Sequence, residues 1–323
     1  MATLYVPDTA TNPTTVTTAA NFIKELWSDE VLAVYKANTV LVPLVQTMPF
    51  SGQKGDTVHI PKPSRGSVTA KAAGTGVTIN VETAGIFNLV IDQHFEYSRF
   101  IEDIAKIQAM DSMRAFYTDD AGFAHAISLD TALHNQAKVF SGGTGSTVAG
   151  TAYSKAVIGG DGITVWSGSA NTNTGNGSAL TDAGIRRAIQ SLDDLNVPAR
   201  MRQLIVPPVE KRRLMGIARF TEQAFVGEVA GSNTIRNGLI GDIYGIPVFV
   251  STNVNSQNAD DASTAYRPVI LMQKEAIVLA EQLAPRAQSQ YKQEFLADLF
   301  TVDTIYGVGT PRPEAGVVLM VPA

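Results

Sequence analysis

The 323-residue chain contains no cysteine. That absence removes disulfide frameworks, thiolate zinc sites, iron–sulfur clusters and cysteine nucleophiles together. A reducing compartment permits such a composition without requiring it. Charge is scarce too: charged residues make up 17% of the chain, against about 25% in an ordinary soluble protein. So thinly charged a surface is expected to meet other protein over much of its area. The 25 basic and 30 acidic residues leave a net charge of −5, with a pI near 5.4. The chain-wide basic footprint of a protein that grips nucleic acid is therefore missing. Hydrophobic residues reach 45%, enough for a packed core. No run approaches ~18 apolar residues, so no helix is expected to span a bilayer. No basic stretch precedes an apolar one near the start, so no signal peptide is expected and the setting is the interior of a cell.

Catalytic signatures are missing as well. There is no GxxxxGK[ST] loop to cradle phosphate and no GxSxG nucleophile elbow. Gly143 and Gly145 are followed by Val148, which breaks GxGxxG at its third glycine. His59, His94, His125 and His134 never form HExxH. His125 and His134 are nine residues apart, at least ~13 Å along a helix axis, so a structural role is expected for both. The acid pairs Asp119-Asp120, Asp193-Asp194 and Asp260-Asp261 are adjacent, so on a helix their side chains diverge and read as solvated faces. The cluster Glu210-Lys211-Arg212-Arg213 lacks interleaved aromatics and reads as surface. No catalytic residue, cofactor or metal is expected.

What is there is an unusual order of parts. Residues 1–20 carry seven threonines and one charge, Asp8, and read as an extended arm with nothing to bury alone. Phe22, Ile23, Leu26, Trp27, Val31, Leu32 and Tyr35 then recur at helical steps until Pro43. From Met48 to Gln93 the texture turns β-rich, with Thr57–Ile60, Ser67–Ala70, Val77–Val81 and Phe87–Ile91 separated by glycine and proline. Two antiparallel arms of ~15 residues would reach ~50 Å, far beyond a domain radius of ~20 Å. Such a ribbon needs something to lie on. A helix is predicted over 102–138, with Glu102-Asp103 in its first turn and a possible bend at Gly122. Its apolar stripe should pack on the carboxy-terminal strands. Residues 141–180 hold ten glycines and read as loop or insertion, with a small hairpin between Val157–Ile158 and Ile163–Trp166. Thr181-Asp182 caps a helix to Leu195, with Ala183, Ile185, Ile189 and Leu192 inward. Arg202–Val206 is a buried strand, Val209–Ala218 a helix, and Leu239–Ile243 with Pro247–Val250 a compact β unit around Tyr244-Gly245. Val269–Leu271, Ala276–Leu283, Glu294–Phe300 and Val317–Val321 supply closing strands. No internal repeat is visible.

This order resembles the major capsid proteins of tailed double-stranded-DNA bacteriophages, the Hong Kong 97 type. The stretches WSDEVLAVYKANTVLVPLV and FSGQKGDTVHIPKP are similar to the amino-terminal helix running into the family's extended loop, and FNLVIDQHFEYSRFIEDIAKIQAMD to that loop's return into the spine helix. ALTDAGIRRAIQSLDDLNVPARMRQLIVPP and NGLIGDIYGIPVFVSTNV resemble the axial domain. The resemblance implies an α+β fold with arm and short helix over 1–47, extended hairpin loop over 48–93 and spine helix over 94–140. An insertion follows at 141–180, then the axial domain at 181–255 and the peripheral β layer at 256–323.

It also implies a structural role: self-assembly into pentamers and hexamers of an icosahedral shell that encloses double-stranded DNA without sequence-specific binding. The shell forms in the host cytoplasm, away from membrane, and becomes the virion capsid. A portal, a decoration protein and, because the chain begins at the arm, a separate scaffolding protein are the implied partners. Trp27, Lys54, Lys62, Arg65, Lys71, Glu82, Arg99, Glu102, Asp103 and Arg236 are the implied inter-subunit contact candidates. Some relatives join a loop lysine to an asparagine covalently; Lys54, Lys62 and Lys71 stand in suitable positions, but no matching asparagine and glutamate are found, so particles without cross-links are expected. Three alternatives stay open: an encapsulin-type shell, a tail-tube or decoration protein, and an enzyme lidded by residues 48–93.

Overall fold

The structure, a computed structural model, describes residues 40–50, 55–62, 66–77, 79, 85–102, 113–143, 158–163, 178–217, 241–254, 257–258 and 265–322. The arm, the helix read from Asn21 and most of 141–180 lie outside them. Thirteen strands are described: β1 (Gln46–Pro49), β2 (Thr57–Lys62), β3 (Gly85–Val90), β4 (Gln93–Glu102), β5 (Ile158–Gly159), β6 (Arg202–Val206), β7 (Asp242–Ile243), β8 (Ile246–Val250), β9 (Gln257–Asn258), β10 (Ala265–Gln273), β11 (Val278–Lys292), β12 (Ala297–Gly309) and β13 (Gly316–Pro322). The helices are α1 (Met113–Gln136), α2 (Asp182–Asp194) and α3 (Pro208–Leu214).

The strands form two principal sheets and one ribbon. The four-stranded sheet runs β1-β11-β12-β4, the seven-stranded sheet β5-β13-β10-β6-β8-β7 with β9 added to β10, and β2 pairs only with β3. β6 and β13, RQLIV and GVVLMVP, lie inside the larger sheet and are buried without alternation, as strands covered on both faces are. β11 and β12 are 15 and 13 residues long. Their register shifts between Glu281 and Arg286, where Pro285 has no N–H to give the ladder.

Helix α1 covers both sheets. Its amino-terminal half places Ala121 in a cluster with Ile101, Ala287, Phe300 and Val302 of the four-stranded sheet. Its carboxy-terminal half places Ala126, Leu129 and Leu133 in the main core with Val269, Leu271, Val317 and Leu319. The predicted packing on carboxy-terminal strands is therefore met, and α1 continues unbroken through Gly122. Its start differs from expectation. Gln93–Glu102 is a strand, paired in register with β12 from Tyr306 to Ala297, so Glu102 ends a strand instead of opening a helix. A partner about 200 residues away decides the conformation here, and local helix signals do not report it.

Other expectations divide in the same way. Thr181 caps α2, its hydroxyl accepting from Gly184 N–H at 3.1 Å; Ile185 and Leu192 are buried, while Ala183 is exposed. Ile158–Gly159 pairs in parallel with Leu319–Met320 and Ile163 is exposed; the other residues of the hairpin expected here lie outside the described ones. The boundary expected at 256 does not separate two bodies. β10 and β13 belong to the same sheet as β6 and β8, because the fully buried β6 needs a neighbour on each side: β8 supplies one and β10 the other. Glu210, expected at the surface, is fully buried; it accepts from Leu180 N–H at 3.2 Å and pairs with Arg213. Burial raises its pKa against the opposing pull of Arg213.

A buried polar junction ties three chain segments. Asp130 accepts from the backbone N–H of Leu41 at 3.0 Å and from Asn253 Nδ2 at 2.8 Å. His134, one turn on, shares a hydrogen bond of 2.9 Å with Ser251 Oγ. His125 Nε2 lies 3.3 Å from the Val302 carbonyl. Both histidines are structural, as expected. Burial lowers the pKa of His134 from 6.5 to about 4, with Asp130 opposing the shift, and lowers that of His125 too. The folded state therefore resists a proton that the unfolded chain accepts, and stability is lost as pH falls from 6.5 towards about 4. Denaturant unfolding of the unassembled subunit should show this decline, and His134→Gln should flatten it; a wild-type stability constant across that window contradicts the assignment.

Candidate assembly surfaces

The β2–β3 ribbon has two unlike faces. With Thr57 opposite Val90 and Lys62 opposite Gly85, alternation puts Val58, Ile60, Phe87 and Leu89 on one side. These pack with Met48, Phe50, Ile305 and the buried Val278 and Ala280. The other side carries Thr57, His59, Pro61, Ile86, Asn88 and Val90. Ile86 and Val90 are 66% and 48% exposed, and between them His59 Nδ1–H donates to Asn88 Oδ1 at 2.7 Å. Farther out, Val68, Val77 and Ile79 are almost wholly exposed, the least so at 75%. Burying one such side chain is worth about 1.5–3 kcal/mol, so a row of them on a projecting element marks a surface awaiting protein.

The described ladder covers only part of the expected arms. Six residues pair on each arm, about 20 Å of ladder, and Ser67–Ala70, expected as a strand, has no ladder. Among the described residues no third strand joins β2 and β3, and a two-stranded ribbon is marginal alone. The base, in contrast, is fastened: Ile91 N–H donates to Asp56 O at 2.7 Å and Gln282 Nε2 to Gly55 O at 3.0 Å. At the outer end of the ladder Lys62 Nζ donates to Pro311 O at 3.4 Å and lies 3.7 Å from Glu314.

The second surface is the four-stranded sheet beside α1. Tyr97 OH donates to Asp120 at 2.6 Å and accepts from Arg99 Nε at 2.9 Å. The Arg99 guanidinium stands 5.5 Å from the Tyr97 ring centre and 5.4 Å from that of Tyr117. Burial, then the bond to Asp120, raises the Tyr97 pKa. On the opposite face His94, Glu96, Arg286, Gln288, Thr301 and Asp303 line an open polar hollow of about 350 Å³. Arg286 binds Asp303 through two hydrogen bonds, 3.2 and 2.9 Å, so its strongest charges are already paired. Among the described residues no three potential metal ligands converge.

The contact candidates read from the sequence are scattered, not gathered. Lys62 stands at the outer end of the ribbon's ladder, Lys71 is exposed in the irregular segment beyond it, and Arg99 and Glu102 lie on β4. Trp27, Lys54, Arg65, Glu82, Asp103 and Arg236 lie outside the described residues. Sequence reasoning favoured charged residues and passed over Val68, Ile79, Ile86 and Val90. Their signal was the alternation of apolar residues in strands with too few partners to cover both faces.

A long helix across two sheets, with an apolar ribbon projecting from the smaller, is the architecture of tailed-phage capsid subunits of the Hong Kong 97 type. A family profile described as phage capsid protein matches residues 143–319, more than half of the chain, and the chain belongs to that family. The structure is similar to one from Mycobacterium phage Che8 at a TM-score of 0.65, with 20% identity over 98% of this chain and 97% of that one. The mature capsid of bacteriophage PhiM1 aligns at 0.64, with 13% identity over 88% and 87%. The capsid of cyanophage P-SCSP1u aligns at 0.63, with 15% identity over 99% and 93%. No curated protein sequence matches the chain. The chain is a structural protein of a phage capsid shell.

Exchanging the exposed apolar residues should separate folding from assembly. Val68→Ser and Ile86→Ser should change the unfolding free energy of the free subunit by no more than ~0.5 kcal/mol, while sedimentation shows fewer assembled particles. Loss of stability without loss of assembly contradicts the assignment.

Proposed function

We propose that the subunit assembles into pentamers and hexamers that close an icosahedral shell around double-stranded DNA, with each ribbon lying across an adjacent copy. The observation that carries this reading is the ribbon itself: fastened at its base to its own subunit, with Ile86 and Val90 exposed on its outer side and Val68, Val77 and Ile79 exposed beyond it. The amino-terminal segment, rich in threonine and almost without charge, reaches a neighbour as well. A net charge of −5 suits a container for DNA, because like charge discourages tight phosphate contacts. Assembly takes place in the host cytoplasm with a scaffolding protein, a portal and a decoration protein as partners. The subunit acts by contact and not by catalysis.

The full chain, expressed alone and together with a scaffolding protein, should yield closed shells by negative-stain electron microscopy. Shells filled with an enzyme cargo would instead favour the encapsulin-type reading. No lysine is proposed to form a covalent link, and Lys62 is already engaged by Pro311 and Glu314. Particles boiled in detergent should therefore run as one band near 34.4 kDa; a ladder of multimers contradicts this, and soluble monomers under every assembly condition contradict the shell.

A further inference from the structure

We propose that Gly307 and Gly309 are positioning residues for assembly: together they form a seat in β12 that sets the angle at which the β2–β3 ribbon leaves the subunit. The proposal rests on reading the ribbon as the element that reaches a second copy. Neither glycine has a positive φ, so backbone conformation does not require glycine at either position. Space does. A methyl group at Gly307 would stand 2.5 Å from the Val90 carbonyl oxygen and 3.0 Å from Ile91 Cα. One at Gly309 would stand 2.7 Å from Leu89 Cδ1 and 3.0 Å from Phe87 Cζ. Glycine inside a strand often marks such a close approach of another backbone.

The two positions are i and i+2, so they share one face of β12, and the end of β3 rests on that face. Only Ile91 and Asp92 separate β3 from β4, and β4 returns to pair with β12 itself, Gln93 opposite Tyr306. The end of β3 thus lies over β12, and the chain then turns to run along its edge as β4. The contact at Gly307 is against main chain, which cannot yield by changing a rotamer. The tie from Lys62 to Glu314 is about half exposed on both sides, and such pairs hold weakly. Backbone contact therefore sets the direction. The seat is ~7 Å long and the paired ribbon ~20 Å, so a 1 Å lift at one end of the seat moves the far end by about 3 Å. Head-to-tail contacts close into a ring only if the rotation between copies is right, and otherwise run on as open assemblies.

The test compares the full wild-type chain with Gly307→Ala, Gly309→Ala and the double variant Gly309→Ala/Leu89→Val, which removes the Leu89 Cδ1 methyl. Closed shells are counted by sedimentation and negative-stain microscopy, and folding of the unassembled subunit by circular dichroism. Each single variant should remain folded and lose closed shells by about tenfold or more, to open or irregular assemblies. The double variant should recover most of the loss. Wild-type yields from both single variants, or a double variant no better than Gly309→Ala, overturn the seat. If Gly307→Ala does not fold, Gly309→Ala and its rescue decide the matter. A wild-type chain that never forms shells overturns the assembly reading as well, whereas normal shells from the wild type and both single variants overturn the seat alone.

Discussion

One helix holds two sheets in a fixed relation, and the rest of the subunit depends on that packing. α1 meets the four-stranded sheet through Ala121 and the main core through Ala126, Leu129 and Leu133. Small residues at 121 and 126 let the helix approach closely, and the larger leucines fill the deeper core. At 1.5 Å per residue its 24 residues span about 36 Å, long enough to bridge both layers. Were the helix to shift, β4 and the ribbon it follows would move relative to the axial strands. A shell subunit has to present its contacts at set angles, and this splint supplies them.

The polar junction on the same helix adds specificity to that packing. Asp130 is fully buried and engages Leu41 and Asn253, residues far apart in the chain. Apolar contact alone would tolerate sliding, whereas a buried carboxylate with two assigned donors is satisfied in one arrangement only. The segment arriving from the amino terminus, the spine and the chain leaving β8 are therefore held together at one point. Function follows from this division of labour. The body is closely packed, and Val68, Val77, Ile79, Ile86 and Val90 leave exposed apolar surface on the ribbon and the segment beyond it.

Parts of this were legible in the sequence because local chemistry decides them. Thr181 with Asp182 marks a helix start wherever it falls, and RQLIV ahead of Pro207-Pro208 can be little else than a buried strand. The order of parts was enough to suggest the family. Other parts depended on partners that the sequence does not place side by side. The segment HFEYSRFIE carries aromatic residues at strand spacing and acids that also suit a helix start; pairing with β12 settles it as strand. The segment at Ser67–Ala70 shows the reverse: its residues favour a strand, yet they belong to no ladder. The sheet membership of β10 and β13 depends on the needs of β6, and the packing role of Gly307 and Gly309 on a crossing that no local pattern announces. Charged residues were favoured as contact sites, although the chain carries few of them and its exposed apolar residues are the ones left without cover.

Hydrogen exchange on free subunits and on assembled particles tests most directly whether a rigid body presents a ribbon completed only by a neighbour. The account predicts that amides at the ribbon base, including Ile91, bonded to Asp56, are protected in both states. Amides of residues 68–74, which belong to no ladder among the described residues, should exchange freely in the subunit and become protected in the particle. Equal exchange of residues 68–74 in both states, or a base that gains protection only on assembly, would contradict it.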